Sequence, residues 1–156
     1  MKKIIPTEQQ EQIAFVDWCH IHKIPVIHIP NQGKRSVVGG ALLKRAGLMK
    51  GVSDLFLPVP IQGTLWRNNI AIDEFKWFHG IFIEMKRNKN YSYSEWIKWE
   101  DQKNFLEEAH KNDYLGFFSF GAEHAIKQVT ECISGNPYNV GYGFDEMPGK
   151  KKWPYI

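Results

Sequence analysis

Residues 80–87 read GIFIEMKR, and the rest of the chain can be laid out around this stretch. Ile81, Ile83 and Met85 alternate with Phe82, Glu84 and Lys86, the period of two expected of a β-strand over Gly80–Arg87. Glu84 and Lys86 are one residue apart, so both project to the same side and lie close together. Upstream, GVSDLFLPVP (51–60) suits a second strand over Val52–Val59, opened by Gly51 and ended by prolines. Neighbouring strands whose ends meet would bring Asp54 beside Glu84.

Working outward, Thr7 is placed to cap a helix over Glu8–His22, with Ile13, Phe15, Val16 and Trp18 at roughly helical spacing. Val26–Ile29 is a short strand, Asn31–Gly39 a loop, and Ala41–Ala46 a short helix stopped by Gly47. The aromatic stretch Ile61–His79 reads as irregular, a long hairpin connection or an insertion. Downstream, Ser94 is expected to cap one helix to about Asn112, with Trp96, Trp99 and Phe105 on one face. A strand over Tyr114–Phe120 and a helix over Gly121–Ile133 follow, and the residues after Gly135 read as a tail with a Lys150-Lys151-Lys152 run. The order α-β-α-β-β-α-β-α describes a single α/β domain with a central mixed sheet flanked by helices.

At 156 residues the chain has room for one sizeable core but hardly two. Twenty Lys and Arg against seventeen Asp and Glu leave a net charge of +3, which tolerates a polyanionic partner without demanding one. Cys19 and Cys132 belong to no CxxC pattern, which argues against a structural zinc site. His20 and His22 point to different helix faces and make no ligand pair. With no signal-peptide core and no membrane-length apolar run, a reduced, cytoplasmic, soluble protein is the expectation.

Asp54 and Glu84, held together in a polar cleft, would repel each other, and a hard divalent cation relieves that repulsion. Mg²⁺ prefers oxygen ligands and works through one or two carboxylates plus substrate phosphate. Lys86 beside them could orient the attacking water or stabilise charge on the phosphate. A Glu-x-Lys pair alone is more often a solvated, charge-paired face; the weight lies in the assembly of strand Asp, strand Glu-x-Lys and a following helix with Gln102.

Four stretches in order, IPNQGKR (29–35), LLKRAGLMKGVSDLFLP (42–58), HGIFIEMKR (79–87) and the Gln102 of WEDQKNFLEEAHKNDY (99–114), resemble the VRR-NUC (virus-type replication-repair nuclease) family of the PD-(D/E)XK nuclease superfamily. The resemblance spans about Glu8 to Ile133. It implies a restriction-endonuclease-like fold, with residues 1–134 as the nuclease domain, an insertion at 61–78 and a tail at 135–156. Position by position, it implies that Asp54 and Glu84 are metal-binding acids and that Lys86 is the catalytic lysine. It further implies the Met85 carbonyl as a metal ligand, Gln102 as a supporting glutamine, and a first-helix glutamate that Glu8 matches best. Glu11, one helical turn later, is the second choice. The proline of the superfamily's motif is Ser53 here, and the connection from Asp54 to Glu84 is long for the family.

Lys34, Arg35, Lys44, Arg45 and Lys50 precede Asp54 in sequence, and Arg87 and Lys89 follow Glu84, so basic residues flank the acidic site where DNA phosphates would pass. Asn31, Lys34, Arg35, Lys44 and Arg87 are the expected DNA contacts, with Arg35 the best phosphate ligand because its planar fork suits that anion. The reading is therefore a Mg²⁺-dependent endodeoxyribonuclease, with Mn²⁺ able to substitute. Resemblance to small stand-alone members implies a homodimeric Holliday junction resolvase in a bacterial or phage setting, acting in DNA repair and recombination. The alternatives are a flap, single-strand or duplex nuclease of the same superfamily, or a non-catalytic DNA-binding protein with a nuclease fold.

Overall fold

The computed structural model describes residues 5–30, 42–63, 66–67, 70–71 and 76–135. Over these the chain runs α1 (Glu8–Ile21), β1 (Ile27–His28), β2 (Leu55–Leu57), β3 (Ile61–Gly63), β4 (Trp66–Arg67), β5 (Ile70–Ala71), β6 (Lys76–Phe78), β7 (Ile81–Lys86), α2 (Tyr93–Ile97), α3 (Glu100–Lys111), β8 (Leu115–Phe120) and α4 (Ala122–Ile133). The main sheet has the order β1-β2-β7-β8. Its first two pairings are antiparallel and β7–β8 is parallel, so the sheet is mixed, as expected. A parallel pair needs a crossover, and α2 with α3 supplies it.

Alternation along β7 sorts the layers. Ile81, Ile83 and Met85 join Leu55, Leu57 and Phe117 in one core, closed by Phe15 and Cys19 of α1 and by Ala125, Val129 and Cys132 of α4. On the other side, Phe118 and Phe120 pack with Trp96 and Leu106 of the crossover helices, joined by Phe82, Trp99 and Phe105. Burial of both faces explains why β8 is apolar at almost every position rather than alternating. Thr7 caps α1 in a reciprocal box with Gln10, as its sequence position predicted.

Several elements differ from the sequence expectation. The strand expected over Val52–Val59 is only Leu55–Leu57, because Pro58 and Pro60 cannot donate to a ladder and residues before Asp54 form a turn. Residues 42–45 form a single helical turn where Ala41–Ala46 was expected. The stretch 61–78 is the long hairpin of its two expected readings, though with regular pairing: β3 pairs β6, and β4 pairs β5 within it, both antiparallel. The helix expected from Ser94 to Asn112 is two helices. Ser92, not Ser94, starts α2 in a capping box with Glu95. The chain then breaks at Lys98 and Trp99, and Trp99 with φ −97° and ψ 17° becomes the N-cap of α3. The tail, including Lys150-Lys151-Lys152, lies outside the described residues.

Candidate active site

The β2–β7 register aligns Leu55 with Ile83 and Phe56 with Phe82. Continued by one residue, it sets Asp54 opposite Glu84, on the side where the Phe56 and Phe82 rings stack at 4.6 Å. Asp54 ends that ladder in an unusual way. Its Oδ2 accepts the Met85 N–H at 3.0 Å, while its carbonyl accepts the Ile29 N–H at 2.8 Å. The Lys86 carbonyl accepts the Gly121 N–H at 2.8 Å, on the β8 side. Peptide groups of successive strand residues face opposite neighbours, so the Met85 carbonyl is directed to the same side as its N–H, toward Asp54.

Gly51 makes the turn before Asp54 possible. Its φ is +81°, and a Cβ there would collide with the backbone carbonyl of Asp101 at the start of α3. The exposed Lys50–Asp101 ion pair, at 2.6 Å, lies at the same contact. The segment carrying Asp54 is thus held against the helix carrying Gln102.

Asp54, Glu84 and Lys86 are only 6%, 4% and 6% exposed. Lys86 Nζ donates to Glu84 Oε1 at 2.6 Å, and its ammonium lies 5.0 Å from the centre of the Trp99 ring. Burial pushes the Glu84 carboxyl up to about 7; Lys86 opposes the rise, while the negative charges of Asp54 and Glu8 add to it. Glu84 Oε2 is buried with no hydrogen-bond partner, as are Gln102 Oε1 on α3 and Ser53 Oγ beside Asp54 in sequence. Such orphans are rare in folded proteins and call for a ligand or a function.

The two candidate glutamates of α1 are differently engaged. Glu8 acts electrostatically on Glu84. Glu11 Oε2 instead accepts the Ala122 N–H at 2.8 Å, satisfying a free donor at the start of α4. Gly121, the N-cap there, has φ +89° and no side chain to do so. Arg87 also has a structural engagement: its Nε and Nη2 donate to the carbonyls of Pro6 and Ile5 at 2.8 and 2.9 Å, fastening the entry of α1 to the end of β7. Lys44 is exposed on the helical turn 42–45. Asn31, Lys34 and Arg35 lie outside the described residues.

Trp99, expected from sequence on one helix face with Trp96 and Phe105, is also a neighbour of the site. It stacks on Phe118 at 5.6 Å while facing Lys86. Nothing in its spacing distinguishes it from Trp96, because the contact depends on the helix break and on Phe118 pairing in register with Glu84.

Among the described residues no three His, Cys, Asp or Glu side chains gather as a metal cluster. Mg²⁺ does not require one, since it binds through one or two carboxylates and retains waters and phosphate oxygens. The unpartnered Glu84 Oε2, the facing Asp54 and the Met85 carbonyl directed between strands are a donor set of that kind. They fit a hard divalent cation.

One solved structure, titled "VRR_NUC domain protein", aligns over 88% of this chain and 96% of its own, with a TM-score of 0.61 and 20% sequence identity. The chain has the VRR-NUC fold. The expected α/β architecture, a four-stranded mixed sheet between helices, is that fold. No protein-family model and no curated protein matches the sequence. At this identity the likeness speaks for the fold, and the site must be argued from its own residues.

Proposed function

We propose that this protein is a PD-(D/E)XK-type nuclease of the VRR-NUC family that hydrolyses DNA phosphodiesters with a divalent metal. The carrying observation is a buried Glu84 whose Oε2 lacks a partner, with Asp54 opposite and Lys86 bonded to Oε1, in a VRR-NUC fold. Asp54, Glu84, the Met85 carbonyl and Glu8 would hold Mg²⁺, or Mn²⁺ in its place. The metal, when bound, activates water and neutralises charge developing on the phosphate.

The chain's own groups do the rest. Asp54 keeps the end of β2 tied to β7 through the Met85 N–H while presenting its carboxylate to the site. Lys86, steered by Glu84 and the Trp99 face, directs its ammonium at the phosphate and the incoming water. Gln102 carries a free carbonyl oxygen to accept a hydrogen bond in the loaded site. Asn31, Lys34, Arg35 and Lys44 are the proposed phosphate contacts of the DNA backbone. Arg87 supports Glu8 through the entry of α1, and its proposed DNA contact is secondary to that.

The preferred substrate is branched DNA, with the four-way junction first. One such domain offers one site, and symmetrical cutting of a junction takes two, so the active form is a homodimer. Among the described residues no helix is long and apolar enough to cross a membrane. The 61–78 segment is proposed as an insertion in the 1–134 domain, and 135–156 as a tail. A panel of labelled junctions, flaps, single strands and duplexes, each with Mg²⁺, Mn²⁺ or chelator, tests the reading. Junction cutting in either metal and none in chelator is expected. Equal cutting of plain duplex removes the resolvase assignment, and binding without cutting in any metal favours a non-catalytic protein.

A further inference from the structure

Between α3 and the Phe82 side of β7 lies a groove of about 530 Å³. Phe82, Phe105 and Tyr114 line it, with Phe105 edge-on to Phe82 at 5.0 Å and Tyr114 at 5.4 Å. Asn104 and Asp101 of α3 line one side and Lys50 the mouth. Phe82 and Glu84 are two residues apart on one strand and project to the same side, which separates them by about 7 Å. The groove thus lies one same-side strand step from the candidate active site.

We propose that this groove receives an unpaired nucleobase of the substrate strand, next to the phosphodiester being cut. The proposal rests on the nuclease reading above and adds what selects the substrate. A broad aromatic lining binds the π-face of any base. The exposed Asn104 amide can meet the polar edge of a base. The Lys50–Asp101 pair, at 2.6 Å, leaves little net charge there to draw a phosphate into the groove. A flat, neutral ring with a polar edge fits this pattern better than an anion or an aliphatic chain. A base inside a duplex cannot reach the aromatic lining, but one released at a branch point or flap can, without the cost of unstacking. Base capture thus favours cutting beside unpaired nucleotides.

The experiment scans single abasic analogues through the nucleotides flanking the cut in four-way junctions and flaps. Binding is read in Ca²⁺ and cleavage in Mg²⁺, for the wild type, Asn104→Trp and Phe105→Leu. Asn104 is exposed on α3, so a tryptophan there fills the groove from the solvent side; melting curves check both variants. An abasic analogue at one position near the cut is expected to weaken wild-type binding roughly tenfold, within the range of base–aromatic stacking. Asn104→Trp should weaken binding of the intact substrate similarly and erase the abasic effect, while Phe105→Leu reduces it. Cleavage with no abasic-sensitive position, or sensitivity unchanged in folded Asn104→Trp, overturns the groove and leaves the nuclease reading standing. Base-dependent binding that Asn104→Trp abolishes, without cleavage in any metal, supports the groove and overturns the nuclease reading. Neither cleavage nor base-dependent binding overturns both.

Discussion

The two sides of β7 differ in how they treat buried polar groups. On the Ile81–Ile83–Met85 side the buried pair is satisfied: Ser119 Oγ donates to Gln128 Oε1 at 2.7 Å, and Gln128 Nε2 donates to the Phe118 carbonyl at 3.3 Å. On the Phe82–Glu84–Lys86 side, Glu84 Oε2 is left open although the residue is equally buried. One strand thus closes a core with one set of side chains and keeps unmet polar capacity with the other. Unmet capacity costs stability when nothing fills it, and the proposed metal site rests on its presence beside Asp54.

Substitutions on the two sides should separate activity from stability. Glu84→Gln and Lys86→Met are expected to lower cleavage by about 10³-fold or more, the scale of losing a group that stabilises transition-state charge. Ile83→Ala should instead cost ~2–5 kcal/mol of stability, read by denaturant melts, because it empties a closed core. If Glu84→Gln chiefly unfolds the protein, the Glu84–Lys86 pair is structural and the contrast collapses. Glutamine is the better choice than alanine here, since its amide oxygen can still accept from Lys86 and it leaves no cavity.

Gly51→Ala should come next in effect. Its Cβ has no space against Asp101, and φ is unfavourable, so the Asp54 segment must shift. Cleavage is expected to fall about 10²-fold, as for a small misplacement of reacting groups, with a modest loss of stability. Trp99→Leu keeps an apolar side chain there while removing the ring face from Lys86. A fall in kcat of roughly tenfold at nearly unchanged KM is expected for a desolvated cation–π contact. Tyrosine at that position should restore part of it.

The pH dependence sharpens the same contrast. Glu84 has a folded-state pKa raised from 4.5 to about 7, so the folded protein holds that proton more tightly than the unfolded chain. The stability this gives is present below pH 4.5 and is lost as pH rises through about 7. Metal-free melting temperature should fall across that window. Added Mg²⁺ should offset the fall, and its affinity should rise with pH, because the ligand must be ionised. A flat Mg²⁺ affinity from pH 5 to 8 would count against Glu84 as ligand. The smallest effect separates the two α1 acids. Glu11→Gln should cost ~1 kcal/mol by weakening the cap on α4 and leave kcat nearly intact, whereas Glu8→Gln should lower cleavage with little change in melting.

How much of this was legible from sequence depends on how far each feature reaches. Glu84 and Lys86 were readable because strand alternation is local. Asp54 needed the ordered motifs, since the turn that aims it depends on Gly51 meeting Asp101, a contact between residues fifty apart. Glu8 and Glu11 stood nearly equal in sequence; what distinguishes their engagement is where α4 begins, which no helical spacing reveals. The anchoring of α1 by Arg87 was not readable, because its bonds go to backbone carbonyls, which carry no sequence signature. The break before Trp99 was hidden inside a good helical pattern. The β3–β6 and β4–β5 pairings were hidden by short strands with little alternation.

The most direct test is cleavage of one labelled four-way junction by purified wild type and Asp54→Ala, side by side in Mg²⁺ and in chelator. The wild type should cut in Mg²⁺ alone, and folded Asp54→Ala should bind the junction but not cut it. Equal cutting by Asp54→Ala, or undiminished wild-type cutting in chelator, would contradict the assignment of Asp54, Glu84 and Lys86 as a metal-dependent nuclease site.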